Sequence, residues 1–530
     1  MNWSRYDTFI VATLFAVLAA QSAWFVATTS GVYDETVYLE VGRVVYHDGD
    51  FRRFSELGLA PLPILLNYAL PSILQTSGYR SAVSLARASS VVLVGFPLLL
   101  ISYTWIAREA GRRGGFAGAA ALSLSPNIVA HTSLATTDAC FLVAALIALA
   151  SLTAHIRRRS WHTLIFLAIG LGVALSAKYS AVALFPVVAI MLLLSSDRKS
   201  QGFRRSLATA AKACAVTGFL FVAALALAWA LHAFTVVEVN VGIVGRVLDV
   251  PAPLAGLLEQ FRHNRSGHLA FLFGDVRLRG WWYYMPLALL VKSTPAELLI
   301  MAASVYAFLI MARSGSTSAL VWCVAFVVYL GFSMSSNLNL GIRYVLLVPC
   351  LAVLATTTWF FKVSEHRKPA IAVAAGVLVL QLASVISISP HYLGYFNGLA
   401  GGPAEGYRYL ADSNLDWGQD LPALREAIQR VGAKHPIVSY FGTAPLDAYG
   451  IAAVQWPGTE DDRNVADWIA ISANHLNGLY VLPPDTFDEF RRIPPSYRAG
   501  YSIFLYKTDR ADVQRAMAAW TRAASAAAPP

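Results

Sequence analysis

Two adjacent carboxylates follow the first apolar stretch of the sequence, in "SGVYDETVYLE" at residues 30–40. Asp34 and Glu35 are therefore expected close to the end of the first long helix. A carboxylate at the edge of an apolar segment costs free energy unless it has a partner or a function. It can act there as a general base or hold a metal ion. The alternative is an interfacial pair that only marks the end of the helix.

Asp138 is a second acid at the start of an apolar stretch, in "LATTDACFLVAAL". Thr136 or Thr137 is placed to cap the helix that follows, and an acid in the first turn interacts favourably with the helix dipole. Asp138 then has only a structural role. The alternative is that Asp138 and Asp34, contributed by two different loops, belong to one catalytic group.

Three cations and one histidine complete the candidate residues. Lys178 lies in "LSAKYSAVALFP", Lys292 in "WWYYMPLALLVKSTP" and Arg343 in "NLNLGIRYVLLVP". A cation between apolar stretches can bind a lipid phosphate, or it can simply extend its charge to the membrane surface. His268, in "NRSGHLAFLFGD", is a candidate substrate-binding residue or metal ligand, although a lone histidine in a loop is more often neither.

The composition is typical of a chain embedded in a membrane. Of its 530 residues, 57% are apolar and 14% are charged, and the mean hydropathy is +0.54. Soluble proteins carry roughly 25% charged residues, so the sequence predicts a polytopic α-helical membrane protein. The net charge of +10 does not indicate a nucleic-acid partner, because the basic residues lie in short loops, where they set the orientation in the membrane.

Eleven apolar stretches are long enough to predict membrane spans. They are residues 8–29, 81–106, 115–131, 138–154, 162–178, 180–195, 211–233, 295–312, 318–334, 343–361 and 370–389. Alternate loops between them carry the basic residues, at 107–114, 155–161, 196–210, 313–317 and 362–369. The positive-inside rule makes that face cytoplasmic, together with the N-terminus. An odd number of spans then places the C-terminus on the opposite face.

The outer face receives loop 30–80, the short loop at Asp138, loop 234–294 and the tail. We predict a transmembrane catalytic domain over residues 1–389 and an extracytoplasmic domain over residues 390–530. The tail contains the helical pattern "DLPALREAIQRVG" and the strand patterns "PIVSYFG", "GLYVL" and "YSIFLYKT", which predict a small α/β domain. Its segment "DSNLDWGQD" is either a helix cap or a loop that binds a sugar or a cation.

The sequence contains no Walker A motif, no GxGxxG after a strand and no HExxH, so it offers no standard nucleotide or zinc-protease site. All the candidate residues for chemistry face outward, where nucleotide sugars and ATP are absent. A group donor on that side is therefore expected to be attached to a lipid.

Several of these segments together resemble a known family. They are "YDETVYLEVGR", "TTDA", "AKYSA", "GWWYYMPLALLVKSTP" and "GIRYVLLVP". They look like parts of the polyprenyl-phosphate-sugar-dependent glycosyltransferases of the GT-C fold, a group that includes protein O-mannosyltransferases and the aminoarabinose transferases of lipid A. The tail segment "PHYLGYFNGLAGGPAEGYRYLADSNLDWGQDL" is similar to that of a large, mostly bacterial branch.

The resemblance implies a role for each candidate residue. Asp34 matches the catalytic base and Asp138 the second catalytic acid, while Glu35 would help to hold the acceptor or a metal ion. Lys178 and Arg343 match basic positions near the carrier phosphate. Many relatives also carry a cation just before the proline-rich stretch of the first loop. Here that stretch reads "GLAPLPILL" and has no cation at that point. Either Arg52, Arg53 or Lys292 substitutes for it, or the phosphate is held differently.

The resemblance also implies the reaction. A sugar would pass with inversion from an undecaprenyl or dolichyl phosphate carrier to a protein, lipid or glycan acceptor, outside a bacterial inner membrane. Some relatives use a divalent cation, for which Glu35 and His268 are the candidate ligands. The main alternative is a multi-span transporter or lipid flippase, which concentrates its charges near the middle of the bilayer. A scaffold protein is the third hypothesis, and it would leave Asp34 and Asp138 without a purpose.

Overall fold

A computed structural model of the chain describes residues 3–196, 203–241, 246–364 and 368–527. Within these residues, eight helices are long and apolar enough to cross a membrane. They are Arg5–Thr28, Tyr79–Ser123, Thr137–Arg158, Ser206–Leu231, Pro295–Arg313, Thr317–Met334, Leu347–Ser364 and Ala370–Ile388. Two shorter apolar helices are Trp161–Ala177 and Tyr179–Leu194. The prediction of a polytopic helical membrane protein is confirmed.

The longest of these helices is broken in the middle. Gly111 has φ 80° and ψ 170°, a backbone conformation that glycine adopts without the steric cost other residues meet. The break separates two of the predicted stretches, 81–106 and 115–131. The second stretch continues beyond Ser123 into a short helix, Pro126–Ser133. Each of the eleven predicted stretches therefore falls on helix, while the number of membrane crossings stays a prediction.

The outer surface of the helical part is apolar. In the helix Ala370–Ile388, for example, Val373, Val379 and Ile386 are 56%, 63% and 64% exposed. Extended apolar surface of this kind marks contact with lipid rather than water. By contrast, most side chains of the helix Thr137–Arg158 are buried, so this helix lies inside the bundle and brings Asp138 with it.

Loops that were predicted to share the cytoplasmic face come together at one end of the bundle. Glu109 accepts hydrogen bonds from Arg157 at 2.6 Å and from Lys362 at 3.1 Å. Asp7 pairs with Arg112 at 2.9 Å. These contacts join the N-terminus to three of the basic loops. Of the residues used in that prediction, Arg198, Lys199 and Arg367 lie outside the described part of the chain.

The first loop, residues 30–80, is helical. Its helices are Tyr33–Asp48, Arg52–Glu56, Pro61–Asn67 and Ala69–Ile73. In its described residues, the second long loop (234–294) contains two hairpins and two helices. The first hairpin pairs β1 (Val236–Val241) with β2 (Arg246–Pro251), and the second pairs β3 (Ala270–Leu272) with β4 (Asp275–Arg277). The helices are Ala252–Ser266 and Tyr284–Lys292.

The tail contains the predicted α/β unit. Its two longest helices are Leu421–Val431, at the predicted position, and Ala511–Ala527 at the C-terminal end. Three short helices, Glu460–Val465, Ala473–Leu476 and Asp488–Arg491, lie between them. Its strands are β5 (Pro436–Ser439), β6 (Val454–Gln455), β7 (Trp468–Ser472), β8 (Tyr497–Ala499) and β9 (Ile503–Lys507). The sheet order is β6-β5-β7-β9-β8. Strand β5 is parallel to β6 and β7, whereas β9 runs antiparallel to β7 and β8.

One predicted strand is wrong. The segment "GLYVL" at 478–482 forms turns, because Gly478 and Tyr480 both have positive φ angles, 79° and 59°. The central strand is instead β7, which pairs Ile469 with Ile437 on one side and with Tyr506 on the other. All five of its residues are buried, so its sequence lacks the alternation of polar and apolar residues that marks a half-exposed strand.

Candidate active site

A cavity of about 700 Å³ lies where the first loop, the second long loop, the ends of several apolar helices and the tail meet. Asp34, Lys178, Arg343 and His268 line it. Asp138 lies directly behind Lys178, to which it is bonded. Five of the seven residues predicted from the sequence therefore come together in or beside one cavity.

Asp34 is the acid most accessible from the cavity. It occupies the first turn of the helix Tyr33–Asp48, and its side chain is 23% exposed. Its Oδ2 accepts a hydrogen bond from Arg343 Nη1 at 2.8 Å and a long one from the Tyr38 hydroxyl at 3.5 Å. A carboxylate that is open to a cavity and held in place by a cation is suited to receive a proton from a bound nucleophile.

Asp138 is fully buried and paired. Lys178 Nζ donates to its Oδ1 at 2.5 Å, while Arg343 Nη1 lies 3.7 Å from its Oδ2. Arg343 thus lies between the two acids. Thr136 is the N-cap residue of the helix, but its side chain makes no capping hydrogen bond, so the expected hydroxyl cap is wrong. The ion pairs of Asp138 favour a role in holding the two cations.

Aromatic rings support both cations. Lys178 Nζ lies 4.1 Å from the centre of the Tyr344 ring, and the Arg343 guanidinium lies 4.1 Å from the centre of the Trp417 ring. Such cation–π contacts stabilise a positive charge that is partly removed from water. Two acids and two cations balance one another, and both cations line the cavity. They are available to a phosphate that enters it.

Glu35 was predicted to bind substrate or a metal ion, but its side chain does not reach the cavity. It is fully buried and does not line the cavity. Its carboxylate accepts from Arg87 Nη2 at 2.7 Å, from the Ala135 backbone N–H at 2.8 Å and from the Val32 N–H at 2.9 Å. Neighbouring residues of a helix point about 100° apart, so Glu35 faces the protein where Asp34 faces the cavity. It ties the first loop to the loop before Asp138.

Lys292 is also buried away from the cavity. Its Nζ donates to the backbone oxygens of Leu393 at 2.7 Å and Asn414 at 2.5 Å. Burial lowers the pKa of Lys292 well below its usual range. Its contacts hold the start of the tail against the helical part. Arg52 and Arg53 are exposed and do not line the cavity either. None of Arg52, Arg53 and Lys292 therefore replaces, in the cavity, the first-loop cation that many members of the family carry.

His268 lines the cavity on the side of the tail. Its Nδ1 lies 3.2 Å from the Tyr480 hydroxyl, and its ring centre lies 5.6 Å from that of His263. Across the described residues, no group of three or more His, Cys, Asp or Glu side chains is arranged to hold a metal ion. Glu35 and His268 are not brought together as ligands, because only His268 reaches the cavity.

Residues 412–420 of the tail, the segment "DSNLDWGQD", supply cavity residues that the sequence did not single out individually. Asp412 and Trp417 line the cavity. The segment also fixes the first loop, because the Tyr33 N–H donates to the Trp417 carbonyl at 2.9 Å and the Ser30 N–H to the Gln419 carbonyl at 2.8 Å. Two signals in the sequence pointed to this segment, its unusual density of acids and amides and its place in the tail stretch that resembles the family.

The alternative prediction, that the segment 412–420 caps the helix Leu421–Val431 with a side chain, is wrong. The side chain of Asp420 makes no capping bond to the helix Leu421–Val431. Its Oδ2 accepts instead from the Tyr501 N–H and the Ser502 N–H, both at 3.2 Å, and from the Ser502 hydroxyl at 2.8 Å. These bonds attach the segment to the sheet. Residues 412–420 therefore connect the first loop to the tail domain.

Solved structures that are similar to the chain at low identity include the following three. ArnT from Cupriavidus metallidurans bound to undecaprenyl phosphate has 13% identity and a TM-score of 0.48, over 94% of this chain and 97% of that one. The same protein in the apo state has 15% identity and a TM-score of 0.48, over 93% and 97%. The apo oligosaccharyltransferase of Archaeoglobus fulgidus has 12% identity and a TM-score of 0.48, over 91% and 73%.

Comparison of sequences gives a match to a family but not to an individual relative. No curated protein sequence matches the chain significantly. Residues 63–229 match the model of a family described as dolichyl-phosphate-mannose-protein mannosyltransferase. This stretch includes Asp138 and Lys178 and lies within the region of the resemblance stated above. Over residues 63–229 the chain is thus similar to the dolichyl-phosphate-mannose-protein mannosyltransferases, and there the predicted family resemblance is confirmed.

Proposed function

We propose that the protein is an integral membrane glycosyltransferase that transfers a sugar from a polyprenyl-phosphate carrier to an acceptor at the outer face of the membrane. One observation carries this proposal. An accessible carboxylate, Asp34, lies 2.8 Å from a cation, Arg343, in a cavity at one end of an apolar helix bundle. The family match over residues 63–229 supports the same class of donor.

In the proposed reaction, Asp34 accepts the proton of the acceptor hydroxyl or amine. The acceptor atom forms a bond to the anomeric carbon, and the bond from that carbon to the phosphate oxygen breaks. The phosphate leaves with the bonding electrons, and Lys178 and Arg343 stabilise its charge. A single displacement of this kind inverts the anomeric centre. Asp138 keeps both cations in position.

The distribution of charge favours an enzyme over a transporter or flippase. The four charged residues of the candidate site lie together at one end of the bundle, beside large loops and the tail domain, whereas a transporter binds its substrate near the middle of the bilayer. The sidedness is part of the proposal. The N-terminus would be cytoplasmic, and the tail would lie outside a bacterial inner membrane.

The proposal is tested by sugar transfer in purified protein reconstituted in lipid. Donors are radiolabelled polyprenyl-phosphate sugars, and the acceptor is a cell-envelope extract. We expect Asp34→Asn to lower the rate by about 10²- to 10⁴-fold, as for the loss of a general base. Asp48→Asn, which removes an exposed carboxylate at the other end of the same helix, should keep full activity. Equal activity of Asp34→Asn and wild type would contradict the proposed mechanism.

The same assay tests the divalent cation that the resemblance implied. If transfer requires such an ion, EDTA abolishes it and added Mg²⁺ or Mn²⁺ restores it. If Lys178 and Arg343 neutralise the phosphate without help, EDTA leaves the rate unchanged and Arg343→Gln abolishes transfer.

A further inference from the structure

A second polar group lines the same cavity, apart from the four charged residues. It consists of Asp412, Tyr480 and His268. The Tyr480 hydroxyl donates to Asp412 Oδ2 at 2.5 Å, and His268 Nδ1 lies 3.2 Å from the same hydroxyl. The three residues come from different segments of the chain, and the proposed mechanism uses none of them.

Two of these residues hold an uncommon backbone conformation. Asp412 has φ 56° and Tyr480 has φ 59°, both in the left-handed region that disfavours residues with a side chain. Asp412 is fixed there by a hydrogen bond from its own N–H to Asn474 Oδ1 at 2.7 Å and by one from the Ser413 N–H to its Oδ1 at 2.6 Å. Residues in this conformation persist only where the surrounding structure fixes them, and they cluster at functional sites.

The protons of this group can be assigned from its contacts. Burial, together with the Asp412 charge, raises the pKa of Tyr480, so its hydroxyl stays protonated and donates to Asp412. His268 Nδ1 lies 3.2 Å from both the Tyr480 oxygen and the Leu269 carbonyl. Because a carbonyl can only accept, Nδ1 carries the proton in neutral His268. Its Nε2 and the remaining lone pairs of Asp412 are then acceptors. The group is therefore suited to a ligand rich in hydroxyl donors.

Three aromatic rings that stack on one another lie beside these acceptors. The rings of Tyr33 and Phe441 stack with centres 5.4 Å apart, and those of Phe441 and Tyr480 stack at 4.9 Å. All three line the cavity. Apolar ring faces next to a few fixed polar groups are typical of sites for small organic ligands. A pyranose matches this surface, because its C–H face is apolar and its edge carries hydroxyl groups.

The second group adjoins the proposed phosphate site. Trp417, in the same tail segment as Asp412, packs 4.1 Å from the Arg343 guanidinium. A sugar whose phosphate is bound by Arg343 and Lys178 would occupy the same cavity that Asp412 and Tyr480 line. The sugar of the donor is therefore the ligand that this arrangement favours.

We propose that Asp412, Tyr480 and His268 form the subsite that binds the hydroxyl groups of the transferred pyranose and selects the sugar. The inference rests on the proposed function, because it takes the carrier phosphate to lie at Arg343 and Lys178. The tail domain is then part of the donor site and determines its specificity.

The experiment compares dissociation constants in the reconstituted full-length protein. The probes are bare polyprenyl phosphate and the same carrier bearing mannose, glucose or galactose. Wild type should bind one sugar-bearing carrier more tightly than the bare one. Asp412→Asn and Tyr480→Phe should weaken binding of that carrier by about ten- to a hundredfold, as for loss of a hydrogen bond to a charged group. Binding of the bare carrier should not change.

Asp420→Asn is the matched control. It removes a buried carboxylate of the same segment that does not line the cavity, so it should lower the melting temperature without changing the preference for a sugar. Equal weakening of bare and sugar-bearing carriers by Asp412→Asn and Tyr480→Phe would overturn the inference, and so would an unchanged preference. Failure of wild type to bind any carrier would instead remove the proposed function itself.

Discussion

Glu35 and Asp34 occupy the same helix turn, but only the side chain of Asp34 faces the cavity. The ion pair of Glu35 with Arg87 is sealed from solvent, with 0% and 1% of the two side chains exposed. Arg87 also donates to the Thr29 hydroxyl and the Ser30 carbonyl. The buried pair thereby fixes the short segment that connects the first helix to Asp34. One acid of the adjacent pair serves stability, and the other is available for chemistry.

The different roles of Glu35 and Asp34 predict that two similar substitutions change the stability of the protein to different extents. Glu35→Gln leaves the buried Arg87 without a charged partner, which typically costs about 3–5 kcal/mol of stability. Asp34→Asn removes a partly exposed carboxylate and should leave the melting temperature close to that of wild type. Thermal unfolding in detergent measures both. Equal melting temperatures for Glu35→Gln and wild type would contradict a structural role for Glu35.

Single residues differ in how far the sequence could predict their place. Asp34, Asp138, Lys178 and Arg343 were identifiable because a charge at the end of an apolar stretch is expensive and therefore informative. The roles of Glu35 and Lys292 depend on partners distant in the chain, such as Arg87, 52 residues away from Glu35. Local sequence carries no information about such a partner. Asp412 and Tyr480 were missed for the same reason.

At the scale of elements, residues 412–420 have the greatest influence on the site. All nine are buried. The Ile342 N–H donates to Asn414 Oδ1 at 2.9 Å, and Ser413 donates to the Leu340 carbonyl. The turn that carries Arg343 and the loop that carries Asp34 are thus both bonded to one stretch of the tail. The sequence predicted a loop here, but not that it would lie between the two parts of the protein.

The stability of this segment should depend on pH through Asp416. Burial raises the pKa of Asp416 to about 8, and the negative charge of nearby Asp420 adds to this effect. The hydrogen bond from the Asn474 backbone N–H acts in the opposite direction. The folded protein therefore holds a proton that the unfolded chain releases above its usual carboxyl pKa. The resulting stabilisation is complete at low pH and is lost as the pH rises towards about 8.

Melting temperatures measured between pH 5 and pH 9 test this expectation. Wild type should lose stability as the pH rises, and Asp416→Asn should show a smaller loss. Part of the slope should remain in the variant, because the Asp420 carboxylate, 3.8 Å from His391 Nδ1, raises the pKa of His391, which acts in the same direction. A slope identical in both proteins would show that Asp416 is already ionised in the folded state.

At the scale of the whole molecule, the charged groups are separated between the two ends of an apolar bundle. Glu109, Arg157 and Lys362 meet at one end, and Asp34, Asp138 and Arg343 meet at the other. Hydropathy and the alternation of basic loops were sufficient to predict this arrangement, because both arise from the cost of charge in lipid. The packing of the tail onto the bundle could not be predicted, because it depends on side-chain contacts.

The orientation follows as a prediction. In a variant without the four native cysteines, Leu482→Cys in the tail should react with a membrane-impermeant maleimide in intact spheroplasts, since Leu482 is 85% exposed. Arg158→Cys, at the basic end, should react only after the membrane is opened. The reverse pattern would place the tail in the cytoplasm.

The bonds between Ser30 and the tail have a consequence for synthesis of the protein. Ser30 donates to the Gly418 carbonyl, 388 residues further along the chain. At about 5–20 residues per second, a ribosome makes these two residues about 20–80 s apart. Throughout that interval the nascent chain carries Asp34 just after its first long helix, but not the tail segment that holds its loop. The site is completed only after the tail has been translated, so a truncated chain should not consume the carrier lipid.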